Sequence, residues 1–400
     1  METINNDKSM LRKAISMGFI SVSAYIASYY SRSLLSVATP NMLQSGEYTT
    51  EFIGLLSSVQ FLVYAAGQLV NGVVGEMINP KYMITIGLSV TGISLVLFPI
   101  VPFAWMQLVF FALMGAGLSM LRGPIMKMVS ENLKKNHSRV VCTFLSAASF
   151  TGTLIASALA IAFHWDMMFI VAGIGVLVIA AVVFTVLSVF EYKGMLVFHS
   201  NRKAGVGGYL QLFKIDNFVF YMIVAGVVEI SSSTIGFWVP TYLSDALMLD
   251  TVTTNVLFSI MSMTSTFAPF LAFFVFRLTK ERDIAMLRCG FSISVVLFLS
   301  MIFVPNMWAK IVCLTLAKFS LACCSAVLWS IYIPGMGSTG KVSSINGVIN
   351  CTGYVSAAVA NVVFAKLLGL SWNGVILVWC GIAAVGLVAA LVVRKKTVEN

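Results

Sequence analysis

Apolar runs of about 20 residues recur along the whole chain, each closed by a polar or Pro/Gly-containing cluster. A helix rises about 1.5 Å per residue and the hydrocarbon core of a bilayer is about 30 Å thick, so a run of that length is what a crossing requires. With no water in that core to satisfy the backbone, runs this long must cross as helices. Twelve spans can be drawn, at 14–37, 52–74, 82–100, 103–126, 140–163, 167–190, 218–243, 256–276, 284–304, 307–333, 342–368 and 372–393. Short links make consecutive spans antiparallel. Only 10% of the residues are charged against 59% hydrophobic, where a soluble chain carries about 25% charged. A water-soluble enzyme with a single core is excluded.

The longest link starts at Glu191 and carries Lys193, Arg202, Lys203, Lys214 and a GVGG turn. It divides the spans six and six, giving an amino-terminal bundle at 1–190, a cytoplasmic linker at 191–217 and a carboxyl-terminal bundle at 218–400. Charge placement tests that division. With the amino terminus in the cytoplasm, 20 Lys and Arg residues fall on the inner side, among them Arg12, Lys13, Lys81, Lys134, Lys135, Arg139, Lys280, Arg282 and Arg394 to Lys396. Only Lys310 and Lys366 fall outside. The positive-inside rule predicts such an asymmetry, and both termini are expected in the cytoplasm. The net charge of +10 then reflects topology and anionic lipid, with no need for nucleic acid.

The first apolar run is too long for a cleavable signal, contains Arg32 and lacks a small-residue cleavage site. Seven cysteines lie in spans or at a cytoplasmic edge, with no CxxC spacing, and read as small hydrophobes. His137, His164 and His199 fall in loops. No metal or other cofactor is expected, and the chain is expected to act as a monomer.

Four ionisable residues remain inside the spans: Arg32, Arg122, Glu229 and Lys318. A charge at that depth costs about 2.5 to 3.5 kcal/mol or more, so it faces a cavity or a partner. Three cations against one acid leave a positive interior, suited to an anion. On the 3.6-residue repeat Arg32 shares a stripe with Tyr25, Ser28, Tyr29 and Ser36, and the second span carries Gln60, Tyr64, Gln68 and Asn71. Asn346, Asn350 and Tyr354 form a stripe in the eleventh span, and Glu229, Ser232 and Ser233 in the seventh. Any one Ser or Thr stripe serves equally as glue between helices. An Arg beside tyrosines points further, because a guanidinium grips phosphate or carboxylate with two parallel hydrogen bonds. The candidate substrate contacts are Arg32, Tyr29, Tyr64, Gln60, Lys318, Asn350, Tyr354 and Ser232. Lys318 reads as a second cation of the site or as the partner of Glu229. Glu229 in turn reads as a proton carrier or as that counter-ion. Arg122 lies low in the fourth span, where gating and binding both fit.

Between the second and third spans the chain reads GVVGEMINPKYM, with Gly72, Glu76, Asn79, Pro80 and Lys81 at the spacing of the cytoplasmic loop signature of the major facilitator superfamily. The NPK triplet resembles the form in organophosphate:phosphate antiporters. YYSRSLLSVATPNM resembles the Arg-containing first span of those antiporters and of the anion:cation symporters. GPIMK and FWVPTYL are similar to both groups. The resemblance implies an all-helical fold of two pseudo-symmetric six-helix bundles. It also implies Arg32 as a substrate contact, Gly72, Glu76 and Lys81 as a conformational latch, and Lys127 as a cytoplasmic-end base. A second Arg of the antiporters is replaced here by Ser232, and their fifth-span His by Ser149, so a symmetric two-Arg phosphate clamp is absent and Lys318 or Arg122 is left to supply the second positive charge.

These residues lead to a secondary transporter of a small organic anion, a sugar phosphate or an organic carboxylate such as a hexuronate. Alternating access, by exchange or with protons or phosphate as the coupling ion, would carry it across the cytoplasmic membrane. Drug or metabolite efflux is the rival within the fold, but FTGTLIASALA lacks its usual fifth-span kink. A transporter-like sensor is a further alternative. An intramembrane enzyme would need a catalytic constellation that the spans do not contain.

Overall fold

The computed structural model describes residues 2–199, 210–249, 251–279, 282–367 and 371–393, and among these all regular structure is helical. The GVGG turn with Arg202 and Lys203, Lys280, and Arg394 to Lys396 lie outside the described residues. In chain order the helices are α1 (Glu2–Gln44), α2 (Thr50–Met77), α3 (Pro80–Leu97), α4 (Ala104–Ser119), α5 (Arg122–Asn132), α6 (Lys135–Ala162) and α7 (Trp165–Tyr192). There follow α8 (Phe218–Thr241), α9 (Thr251–Thr266), α10 (Ala268–Leu278), α11 (Asp283–Phe303), α12 (Met307–Ala326), the short α13 (Ile333–Gly335), α14 (Val342–Leu367) and α15 (Trp372–Val392). Ten stretches of the described residues are long and apolar enough to cross a membrane. α1 and α14 are two further long helices.

Prolines account for the breaks inside these stretches. A proline lacks the N–H and its ring presses on the carbonyl four residues back. Pro124 thus acts on Met120, where α4 gives way to α5, and Pro269 on Ser265, beside the α9–α10 break. Pro334 acts on Ser330, within a π-helical turn at Val327–Tyr332. Pro240 lies inside α8, just before a second π turn at Tyr242–Ala246. At the start of α3 Asn79 caps the helix, accepting from Lys81 N at 3.0 Å, with Pro80 as its first residue.

The chain forms two compact units, Met1–Leu210 with Ile333–Val348, and Gln211–Tyr332 with Ile349–Asn400. In the first, α1 packs along α6 and α7, α3 along α4 and α7, and α2 along α4. Lipid offers no hydrophobic contrast to drive such packing, so close approach of small residues does much of the work. A Cβ on Gly87 would sit 2.7 Å from the Gly117 carbonyl, and one on Gly117 would sit 2.6 Å from that of Gly87. Apart from glycine no residue fits at that crossing. In the second unit, α11 packs on α12 and α15, and α8 on the same two helices. Phe298, Phe364 and Trp379 are buried there, and the indole N–H of Trp379 reaches Thr234 Oγ1 at 3.0 Å.

Candidate functional site

Tyr25, Tyr29 and Arg32 follow at four- and three-residue steps on α1, which puts them on one face. The tyrosine rings meet edge to face at 5.0 Å. Across from them α2 presents Phe61 and Tyr64, and the Arg32 guanidinium lies 4.2 Å from the Tyr64 ring centre, 5.7 Å from Phe61 and 6.0 Å from Tyr29. Arg122, at the start of α5, places its guanidinium 5.8 Å from the Tyr25 ring. The outcome is a continuous string, Arg122, Tyr25, Tyr29, Arg32 and Tyr64, inside the first unit. Each ring-cation contact contributes on the order of 0.5 to 2 kcal/mol. Stacking engages the face of the guanidinium, while its donors lie in the plane of the fork. Tyr64 is 5% exposed, Tyr25 6% and Arg122 9%, so the Arg122 charge stands in largely dry surroundings while Arg32 is half-buried.

Gln60 is one helical turn before Tyr64 on α2. It is buried, and its Nε2 has no hydrogen-bond partner among the described residues. Further along the stripe the polar groups serve packing: Asn71 Nδ2 donates to Ser119 Oγ at 2.6 Å, and Gln68 Nε2 to the Ser119 carbonyl at 3.5 Å. The stripe therefore divides, with its first turns beside Arg32 and its last turns holding α2 to α4.

The loop-signature residues separate into two clusters. Glu76 and Lys127 are both fully buried and lie 2.8 Å apart, off the angle of a hydrogen bond. Lys127 donates instead to the carbonyls of Glu76 at 3.0 Å and Gly75 at 3.4 Å. The other oxygen of Glu76 accepts from the backbone N–H of Ser344, in the first turn of α14, at 3.0 Å. A carboxylate there meets the positive end of the helix dipole. Ser344 Oγ donates to the Gly72 carbonyl at 3.1 Å. A Cβ on Gly347 would come within 2.5 Å of the Gln68 carbonyl and 3.0 Å of the Gly72 Cα. Lys81 stands apart from this group. Its ammonium pairs with Glu191 at 2.5 Å, and Asn79 Nδ2 donates to the other Glu191 oxygen at 2.9 Å.

In the second unit Lys318 on α12 donates to Ser262 Oγ at 3.1 Å and lies 5.0 Å from the Phe258 ring centre. Glu229 on α8 packs against α14, where a Cβ on Gly353 would meet its Cγ at 2.6 Å. Asn350, buried, and Tyr354, half-buried, flank Gly353 on α14, and Ser232, one turn beyond Glu229, is exposed.

Three participants were missed in the sequence. Phe61 carries no polar group and so belongs to none of the polar stripes. Glu191 was taken only as the start of a linker. Ser344 carried a signal that went unused: GKVSSING is a polar cluster opening an apolar run, as helix starts do.

The sequence profile of the Major Facilitator Superfamily matches residues 22–361. Among curated proteins the chain is 28% identical over 158 residues to the membrane sensor protein UhpC of Salmonella typhimurium, covering 38% of this chain and 35% of that protein. It is 30% identical over 74 residues to a probable hexose phosphate transport protein of Chlamydia trachomatis, covering 18% of this chain and 16% of that one. The matched stretches thus span about a third of the first relative and a sixth of the second. Among solved structures, the E. coli fucose:proton symporter FucP superposes with a TM-score of 0.75 at 13% identity, covering 96% of this chain and 100% of that one. The proton:xylose symporter XylE gives 0.74 at 12% identity, covering 96% and 95%. At these identities the likeness concerns the fold.

Proposed function

The chain belongs to the Major Facilitator Superfamily, and on that premise we propose that it is a secondary transporter of a small organic anion, with Arg32 gripping the anionic group. Family membership makes it a multi-pass cell-membrane protein and not an enzyme. The observation that carries the anion reading is the string of Arg122, Tyr25, Tyr29, Arg32 and Tyr64, two guanidiniums set among aromatic hydroxyls in one bundle. Arg122 supplies the second positive charge that the Ser232 position lacks. Curated relatives named for hexose phosphate transport favour a sugar phosphate within that class, with organic carboxylates such as hexuronates beside it.

The topology proposed with this function has twelve spans and cytoplasmic termini. α1 and α14 join the ten apolar stretches, and the distribution of lysine and arginine orients them. The amino bundle ends at residue 190, the linker runs over 191–217 and the carboxyl bundle follows. Rocking of the bundles alternates access to the site, and the Gly72, Glu76 and Lys127 cluster, together with Lys81, biases that equilibrium without touching substrate. Lys318, Gln60, Asn350, Tyr354 and Ser232 complete the contacts, and Glu229 is the acid available for proton coupling. The protein works as a monomer.

Counterflow in proteoliposomes, with phosphate esters, hexuronates, other carboxylates and cationic dyes as competitors, tests the reading. Anions should exchange and dyes should not. Arg32→Lys keeps the charge and loses the planar fork, so anion exchange should fall by about a hundredfold, roughly 2.7 kcal/mol. Normal exchange by this variant refutes the assignment. A sensor is the second reading, favoured by the name of the UhpC relative. Saturable anion binding with no counterflow in the wild-type protein selects it.

A further inference from the structure

At the end of the first unit away from Glu76, Lys81 and Lys127, three connections meet, at 45–49, 98–103 and 163–164. They border an open cavity of about 610 Å³, within the range of small-molecule sites. Its walls are rigidly built. Gln107 donates through Nε2 to both the Tyr48 hydroxyl at 3.0 Å and the Val101 carbonyl at 3.1 Å. Tyr48 lies edge-on to Trp165 at 5.2 Å and stacks on Phe52 at 6.1 Å.

Several polar groups here have capacity left over. With both amide protons of Gln107 engaged, its carbonyl oxygen is left to accept. The Tyr48 oxygen receives a bond from Gln107, which leaves the hydroxyl proton to donate. Burial pushes the Tyr48 hydroxyl above its usual range, the Gln107 bond opposes this and the Glu47 charge adds to it, so the proton stays on. Trp165 is 4% exposed, and its Nε1–H is buried with no acceptor among the described residues. Asp166 Oδ1 lies 2.7 Å from both His164 Nδ1 and Met167 N. Glu47 is exposed at the rim.

Charge narrows the ligand. The lining holds Glu47, Asp166 and His164, with the imidazole engaged on Asp166, and no Lys or Arg, so it offers a phosphate ester or a carboxylate no cation that is not already held by an acid. This is not the anion chemistry of Arg32. An ammonium would suit the carboxylates, but it only donates, and the Tyr48 hydroxyl donor would stay unsatisfied. Hydroxyl groups both donate and accept, and the C–H face of a sugar ring covers aromatic walls. We propose that this cavity is a binding site for a neutral, unphosphorylated sugar or polyol, separate from the anion site.

Calorimetric titration of the full-length protein in lipid nanodiscs tests this, with glucose and sorbitol as neutral probes, choline as the cation and glucose 6-phosphate as the anion. A neutral probe should bind saturably, and glucose 6-phosphate should not displace it. Tyr48→Phe and Gln107→Leu should each weaken binding by about tenfold, one hydrogen bond's worth. Glu47→Gln, a rim change that leaves the fold alone, should weaken it several-fold, and Arg32→Lys should leave it unchanged. The proposal is overturned if neither neutral probe binds, if choline binds more tightly than both, or if binding survives Tyr48→Phe and Glu47→Gln but is lost in Arg32→Lys.

Discussion

Among the described residues, two ion pairs at the same end of the first bundle draw on one stretch of sequence, GEMINPK. Lys127 and Glu76 are both fully buried. Lys81 keeps its side chain 9% exposed, but its partner Glu191 is 41% exposed. The difference is one of dielectric. Charges near water attract weakly and are screened by salt, whereas a pair shut away from it is held together mainly because separating it would strand an unsolvated charge. The buried pair also reaches further, since its carboxylate accepts from Ser344, 268 residues away. One short loop thus contributes a peripheral clip at Lys81 and an internal clasp at Glu76.

The largest effect expected from breaking this comparison is that of Glu76→Gln. It leaves the Lys127 ammonium buried without its counter-charge, and should cost about 3 to 5 kcal/mol in denaturant unfolding of the detergent-solubilised protein. A loss no greater than that of Glu191→Gln would erase the distinction between the pairs. Replacing both partners, as Glu76→Leu with Lys127→Met, should recover most of the loss, because no charge is then stranded. If the double variant is as unstable as the single one, the cost lies in the hydrogen bonds to Ser344 and the Gly75 and Glu76 carbonyls rather than in charge burial.

A smaller effect follows where α14 meets α2. Gly347→Ala puts a methyl 2.5 Å from a backbone carbonyl that cannot swing aside, and should cost about 1 to 3 kcal/mol. Wild-type stability would mean that this contact is looser than it stands. The smallest effect belongs to Glu191→Gln, at about 0.2 to 1 kcal/mol. That loss should shrink further as salt is raised, while the Glu76→Gln loss stays nearly constant. Equal salt dependence of the two variants would overturn their assignment to wet and dry surroundings.

Much of this protein was legible before folding. Apolar runs set the helices because a bilayer allows few alternatives, and most predicted spans fall within a few residues of the observed helices. α1 is the exception at Glu2–Gln44, since a helix does not stop where its apolar stretch does. The breaks at Pro124, Pro269 and Pro334 were not foreseen, since each lies in or beside a stretch expected as one span and a proline can kink a helix without ending it. Arg32, Arg122, Lys318 and Glu229 stood out by the cost of a charge in an apolar run.

Pairing was not legible. Lys127 read as a base at the cytoplasmic end and is a fully buried partner of Glu76. The polar stripe on α2 looked uniform, yet Gln68 and Asn71 bind Ser119 while Tyr64 stacks on Arg32. Helical periodicity places a side chain on a face, but the partner across that face comes from a segment far away in the chain. The sequence alone determined that the chain crosses a membrane as helices and which charges fall within the apolar runs, because length and desolvation act locally. Only tertiary structure decided that two arginines are strung together through tyrosines, that Glu76 meets the start of α14 and that a carboxylate-lined cavity forms where three loops converge, because those contacts join residues with no local relation.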